Sequence, residues 1–192
     1  MPLSTDQLFT QARTATYFLE SPGVDDDTLH ALYDLLKWGP TASNCCPARF
    51  VFVRSPQARE RLLACLSPGN VAKAKSAPVT VVIGMDMAFY EQLPVLYPQA
   101  DARSWFAGKP EVIAREALRS SSLQAAYLIV AARCLGLDAA PMGGIDAAKM
   151  DAEFFAGTTV KSHMVCCLGH ADAARQRPRN PRLSFDQACR LA

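Results

Sequence analysis

The chain has 192 residues, half of them hydrophobic, and its 20 Lys plus Arg against 18 Asp plus Glu leave a net charge of +2. This fits one globular domain with a sizeable core, and gives no support to nucleic-acid binding because no basic run is interleaved with aromatics. The N-terminus lacks a basic start followed by an apolar stretch, and the longest apolar run, residues 125–132, is too short for a bilayer, so no membrane association and a cytoplasmic location are expected.

In chain order, residues 6–15 read as a short helix capped by Ser4 or Thr5. Ser21-Pro22-Gly23 is a turn. Residues 25–38 form an amphipathic helix with acidic residues at its start and an apolar stripe of Leu29, Leu32, Tyr33, Leu35 and Leu36. Gly39-Pro40 ends it. Phe50-Val51-Phe52-Val53 is a strand of buried type, residues 56–66 are a helix, and residues 69–74 are a polar segment able to begin another. Residues 78–85 are a second strand. Residues 86–110 are irregular and aromatic-rich, a kind of connection that is usually functional or covers a partner. Residues 111–135 are the longest helix, apolar almost all round from Leu123 to Leu135. In a chain this small, that implies a second subunit to cover it. Gly136 stops it. Residues 139–144 read as a tight turn, 146–155 as a short helix and 164–168 as a third strand. A basic, proline-containing tail, residues 175–182, precedes a terminal helix from Ser184. Many helices around few strands predict a single α+β domain over residues 1–192.

The seven cysteines are odd in number, show no C-x-x-C spacing and have only three histidines beside them. Neither a disulfide framework nor a metal site is expected. Four segments could carry chemistry. The loop Pro40-Thr41-Ala42-Ser43-Asn44-Cys45-Cys46-Pro47 offers backbone N–H groups and short donors to a polar ligand, although a plain helix-to-strand turn is the favoured reading on spacing alone. Arg13 lies near one chain end and Arg175, Arg177, Arg179 and Arg182 near the other. Their forked donors suit phosphate, against the competing reading of a solvated basic tail. Pro141-Met142-Gly143-Gly144 would let backbone approach a flat ligand, or is simply a loop between two helices. Asn70 and Lys73 would share one helical face, or mark an exposed helix start. No Gly-x-Gly-x-x-Gly, phosphate loop or Gly-x-Ser-x-Gly occurs, which argues against a Rossmann site, a nucleotide-triphosphate loop and a hydrolase elbow.

Taken in order, Arg13, the Pro40–Pro47 loop, Asn70 with Lys73, Gly143-Gly144, and Arg177 with Arg179 resemble the nitroreductase family over nearly the whole chain. Within it, Lys37-Trp38-Gly39-Pro40-Thr41, Asp101-Ala102-Arg103-Ser104-Trp105-Phe106, Gln124-Ala125-Ala126-Tyr127-Leu128-Ile129-Val130 and Pro181-Arg182-Leu183-Ser184-Phe185 are similar to the malonic semialdehyde reductase branch linked to pyrimidine breakdown. Cys46 and Ala48 stand where the wider family usually has Gln and Trp. The resemblance implies a central mixed or antiparallel sheet flanked by helices, in an intertwined homodimer with FMN at the interface. It implies that Arg13, Arg177 and Arg179 bind the phosphate with help from Thr14, and that Pro40, Thr41, Ser43 and Asn44 line the ribityl chain and ring, partly from the second subunit. Asn70 and Lys73 would face the pyrimidine side of the ring, and the N–H of Gly143 or Gly144 would reach flavin N5, which places Lys73, Gly143 and Gly144 in the chemistry. The implied reaction is ping-pong hydride transfer from NAD(P)H to a small acceptor such as malonic semialdehyde. Arg103 is a candidate carboxylate holder, with an ion pair steadying the aromatic loop as the alternative. Trp105 and Phe106 are candidates to cap the ring, with packing as the safer reading. Two other readings stay open: a broad-range nitroreductase, quinone or flavin reductase, and a flavin-binding protein without turnover.

Overall fold

A computed structural model describes residues 4–192. Its centre is a sheet of four antiparallel strands in the order β1-β2-β4-β3: β1 Ala48–Val53, β2 Val79–Asp86, β3 Asp138–Met142 and β4 Val160–Gly169. Side chains alternate across a strand, and both faces are covered. Val53, Val82, Ala140, Val165 and Cys167 face one cluster with Leu62, Ala74 and Met150 from α2 (Pro56–Leu63), α3 (Pro68–Ser76) and α6 (Ala147–Phe154). Val79, Val81, Ile83, Cys166 and Leu168 face another, with Leu32 and Leu36 of α1 (Asp26–Leu36) and Leu128 and Ala132 of α5 (Pro110–Cys134). The adjacent thiols of Cys166 and Cys167 therefore serve opposite faces.

The helices follow their caps. Asp25 accepts the Thr28 N–H at 2.8 Å to start α1. α5 ends where Gly136 turns to a φ of +78°, a left-handed value that favours glycine. Two expectations are narrowed. Tyr33 and Leu35 of α1 are exposed, so the buried stripe is Leu29, Leu32 and Leu36. α5 is buried along one side, while Leu118, Leu123 and Tyr127 stay more than 40% exposed on the other. The all-round burial expected from composition is not reached within one protomer.

Two expectations are corrected. Residues 139–144 are not a tight turn: most belong to β3, whose Pro141 pairs with Cys166 on an edge strand of the sheet. Small residues and a proline hide a strand in sequence, and proline is tolerated at an edge because it has no N–H to give. The helix expected over 6–15 stops early. Only Asp6–Thr10 is helical, in a π turn, and Thr14 bridges Ala139 in parallel so that Ala15 is fully buried. Burying Ala15 against the sheet overrides local helix preference.

Residues 87–109 form an excursion of short turns with α4 (Leu93–Leu96). Phe89 and Phe106 pack edge to face at 5.1 Å in a third cluster that also holds Cys45 and Leu93. α7 (Phe185–Ala188) starts at Ser184, where a reciprocal cap with Gln187 forms. No helix of the described residues is long and apolar enough to cross a membrane.

Candidate functional site

The two chain ends meet beside β3. The backbone of Thr14 and Thr16 is clasped by one side chain, Gln176, which donates to the Thr14 carbonyl at 2.9 Å and accepts the Thr16 N–H at 3.0 Å. The Asp172 N–H donates to the Tyr17 carbonyl at 3.0 Å, so the tail after β4 runs alongside the N-terminal segment. Arg13 donates to the Arg177 carbonyl at 3.1 Å, and Arg179 donates to the carbonyls of Thr10 and Ala12. These contacts frame a cleft of about 730 Å³ lined by Arg13, Thr14, Lys73, Arg133, Arg177, Arg179 and Arg182.

Arg133 was not singled out in the sequence. It sits in the last turn of α5 and donates to the Leu8 carbonyl at 3.2 Å. A basic residue at a helix C-terminus reads as dipole compensation, so no local signal separates the two roles. Arg175 does not line the cleft itself and stacks on Tyr17, which does, 3.3 Å from the ring centroid. Among the described residues, the eight ion pairs include none of the cleft's cations. Guanidinium groups held by carbonyls and facing no carboxylate keep donors and charge available for an anion.

Lys73 joins this cleft from α3. One turn earlier on the same helix, the Asn70 amide donates to the Gly144 carbonyl at 3.0 Å, and the Ser67 N–H donates to that carbonyl at 3.0 Å. A Cβ at position 144 would lie 2.6 Å from the Asn70 amide nitrogen, whereas one at Gly143 would meet nothing within 4 Å. The glycine pair is thus close-packed on one side and open on the other. Among the described residues, neither N–H of the pair donates to another backbone group. The Asn70–Lys73 pair and the glycine pair, read as separate pieces of sequence, are one site adjoining the cationic cleft.

The loop between α1 and β1 is elsewhere. Pro40, Thr41, Ser43 and Asn44 do not line the cationic cleft of their own protomer. Ser43, Asn44 and Cys46 have φ values of 48°, 51° and 39°. Left-handed geometry in three non-glycine residues costs about 1–3 kcal/mol apiece and persists only where surroundings impose it. Asn44 donates to the Leu96 carbonyl at 2.9 Å and accepts the Cys46 thiol at 3.4 Å, while the Cys46 N–H donates to the Thr41 hydroxyl at 3.2 Å. Burial pushes the neighbouring Cys45 thiol up, and the Glu116 carboxylate adds to it.

The three candidate substrate-side residues are placed differently from one another. Arg103 is engaged by Glu91 at both carboxylate oxygens, 2.6 and 2.9 Å, the ion-pair alternative. That pairing holds Glu91 below and Arg103 above their ordinary values. Phe106 is buried against Phe89, the packing alternative. Trp105 is 45% exposed, with its ring 6.1 Å from that of Tyr97.

The fold and cleft define an α+β protein with a cationic cleft between its two chain ends, beside a glycine pair whose N–H groups donate to no other backbone group among the described residues. The nitroreductase family model matches residues 10–170, and the chain belongs to that family. A protein of Burkholderia lata, provisionally named NADH dehydrogenase/NAD(P)H nitroreductase, is 58% identical over 186 residues, 97% of this chain and 95% of that one. A structure from Bacillus subtilis, provisionally titled a nitroreductase, matches with a TM-score of 0.88 at 21% identity, covering 96% of this chain and 97% of that one. A provisionally titled nitroreductase of Exiguobacterium sibiricum, solved in complex with FMN, gives 0.87 at 16% identity, covering 99% and 98%. At such identities the last two comparisons speak to the fold.

Proposed function

We propose that this chain is an NAD(P)H-dependent flavin oxidoreductase that holds FMN in the cleft between its termini and works as a homodimer. The observation that carries this reading is the convergence of Arg13, Arg177, Arg179 and Lys73 on one cleft without a carboxylate partner among the described residues. The donor set fits the cofactor: forked guanidinium groups and the Thr14 hydroxyl for a phosphate, and a glycine pair with open space over Gly143 for a flat ring. When bound, FMN supplies a two-electron carrier that takes hydride from NAD(P)H and passes it to a second substrate in ping-pong order.

The chain's own residues do the rest. Arg13, Arg177 and Arg179 anchor the phosphate and so set the depth at which the cofactor sits. Lys73 brings a positive charge suited to offset the negative charge gained on reduction. The Gly143 or Gly144 N–H offers a donor to the ring. Asn70 fixes the glycine pair through the Gly144 carbonyl. Leu118, Leu123 and Tyr127 on α5, with Leu183 and Phe185 on the tail, are large apolar side chains left exposed. Pairing two protomers would cover them. It would also bring the Thr41, Ser43 and Asn44 loop of one protomer to the cleft of the other.

The acceptor we favour is a small aldehyde acid such as malonic semialdehyde, on the likeness of residues 37–41, 101–106, 124–130 and 181–185 to that branch. The name of the Burkholderia lata relative favours a second reading, a nitro-compound acceptor. Purified protein is expected to be yellow or to gain flavin absorbance with added FMN, and NAD(P)H is expected to bleach it. Protein that takes up no FMN would defeat the proposal, and flavin that NAD(P)H leaves oxidised would reduce it to flavin binding without turnover. Arg179→Ala is expected to weaken FMN binding about ten- to a hundredfold, the worth of a charge-assisted hydrogen bond, with little change in Tm. Comparing turnover of malonic semialdehyde, a quinone and a nitroaromatic separates the acceptors.

A further inference from the structure

α5 carries three buried polar side chains at a spacing of four: Glu116, Ser120 and Gln124, at 7%, 0% and 5% exposure. Residues four apart on a helix share a face, so this is one polar stripe on a side that packing alone would make apolar. Buried polar groups are tolerated when their hydrogen bonds are made, and among the described residues no buried side-chain polar atom lacks a partner. Two of the partners flank the middle of the α1–β1 connection, Ala42 within the loop and Ala48 at the first residue of β1. The Ala42 N–H donates to the Ser120 hydroxyl at 3.4 Å, and the Ala48 N–H donates to the Gln124 carbonyl oxygen at 2.9 Å. Ser120 in turn donates to Glu116 at 2.8 Å, which orients its lone pairs toward the loop, and Arg119 pairs with the other Glu116 oxygen at 3.1 Å.

The stripe therefore grips the loop at both ends. Between the grips lie Ser43, Asn44 and Cys46, all with positive φ and none a glycine. Their intrinsic preference opposes the shape that they hold. We infer that Glu116, Ser120 and Gln124 are positioning residues that set the 40–48 loop in its cofactor-facing shape before any cofactor arrives. The inference rests on the FMN reading above for what the loop faces, but not for how it is held. A loop shaped in advance leaves less ordering to be done on binding.

The test uses the full chain as wild type, Ser120→Ala, Gln124→Leu and Glu116→Gln, with Leu128→Ala as a control for buried packing on the same helix. Amide hydrogen exchange over residues 40–48 is read in the apoprotein, and FMN affinity is read by flavin fluorescence. Ser120→Ala and Gln124→Leu are expected to speed exchange at Ala42 and Ala48 respectively, and to weaken FMN binding about tenfold, one hydrogen bond's worth. Glu116→Gln keeps an acceptor for Ser120 and is expected to retain protection. Leu128→Ala is expected to lower Tm and leave FMN affinity near wild type. Unchanged loop exchange in Ser120→Ala, the mildest of these changes, overturns the inference. So does a wild-type loop that becomes protected only after FMN is added. A wild type that binds no FMN defeats the cofactor reading instead, and the exchange result alone then decides whether the stripe shapes the loop.

Discussion

The cationic cleft and the α1–β1 loop are built in opposite ways. The cleft is made at the surface by two extended chain segments, and its arginines are held by main-chain carbonyls of Thr10, Ala12 and Arg177. The loop is made against the core, with Cys45 buried in the cluster of Phe89 and Phe106 and its ends fixed by buried side chains of α5. Charge with little packing marks the first; strain imposed by packing marks the second. On the dimer proposed above, one cofactor would be gripped in two ways: by long-range attraction for its phosphate and by a preset surface for its remainder.

The loop depends most on the core beneath it. Phe89→Ala removes a fully buried ring beneath the loop, and its expected cost is about 3–5 kcal/mol of stability, read as a lower denaturation midpoint. A loss under 1 kcal/mol would mean that the loop does not depend on that core. The cleft should answer in the opposite sense. Arg13→Ala combined with Arg177→Ala is expected to change stability by only about 0.5 kcal/mol per site, as for exposed residues. The same pair should weaken FMN binding strongly and flatten its dependence on salt. Titrating FMN at two salt concentrations checks this, and an unaltered salt dependence would remove the two arginines from the phosphate site.

A pH-dependent effect comes from the sheet beneath both regions. Burial pushes Cys166 up to about 12 and Cys167 up to about 11, from an ordinary 9.0. A thiol whose value is raised by folding contributes stability in full below pH 9, and that contribution is lost as pH rises toward 11–12. Tm is therefore expected to fall as pH goes from 9 to 11, at no more than about 1.4 kcal/mol per pH unit for each thiol. Cys167→Ala should make the fall shallower, whereas cleft variants should not alter it.

Much of the fold was legible because its signals are local. The leucine spacing of α1, the Val-rich β2 and the glycine after α5 each act within one element. β3 was missed because an edge strand of small residues with a proline carries no alternating pattern. The early end of the N-terminal helix was missed because the partner of Ala15 is Ala139, more than a hundred residues away. Within the candidate site, Arg13, Lys73, Arg177 and Arg179 were all readable as cations, but Arg133 was not separable from an ordinary helix end. The polar stripe of α5 was invisible for a similar reason: Glu, Ser and Gln at spacing four look like a solvated face until the loop is seen to cover them.

From the residues alone came the helices α1, α2, α5 and α6, the strands β1, β2 and β4, and the presence of a basic tail and a lone N-terminal arginine. Periodicity, caps and composition act over a few residues and need no partner. Tertiary structure alone decided that the two ends share a cleft, that Asn70 meets Gly144, and that Arg103 is occupied by Glu91. Those outcomes depend on which distant groups the folded sheet brings within hydrogen-bond reach, and a linear pattern carries no record of distance in space.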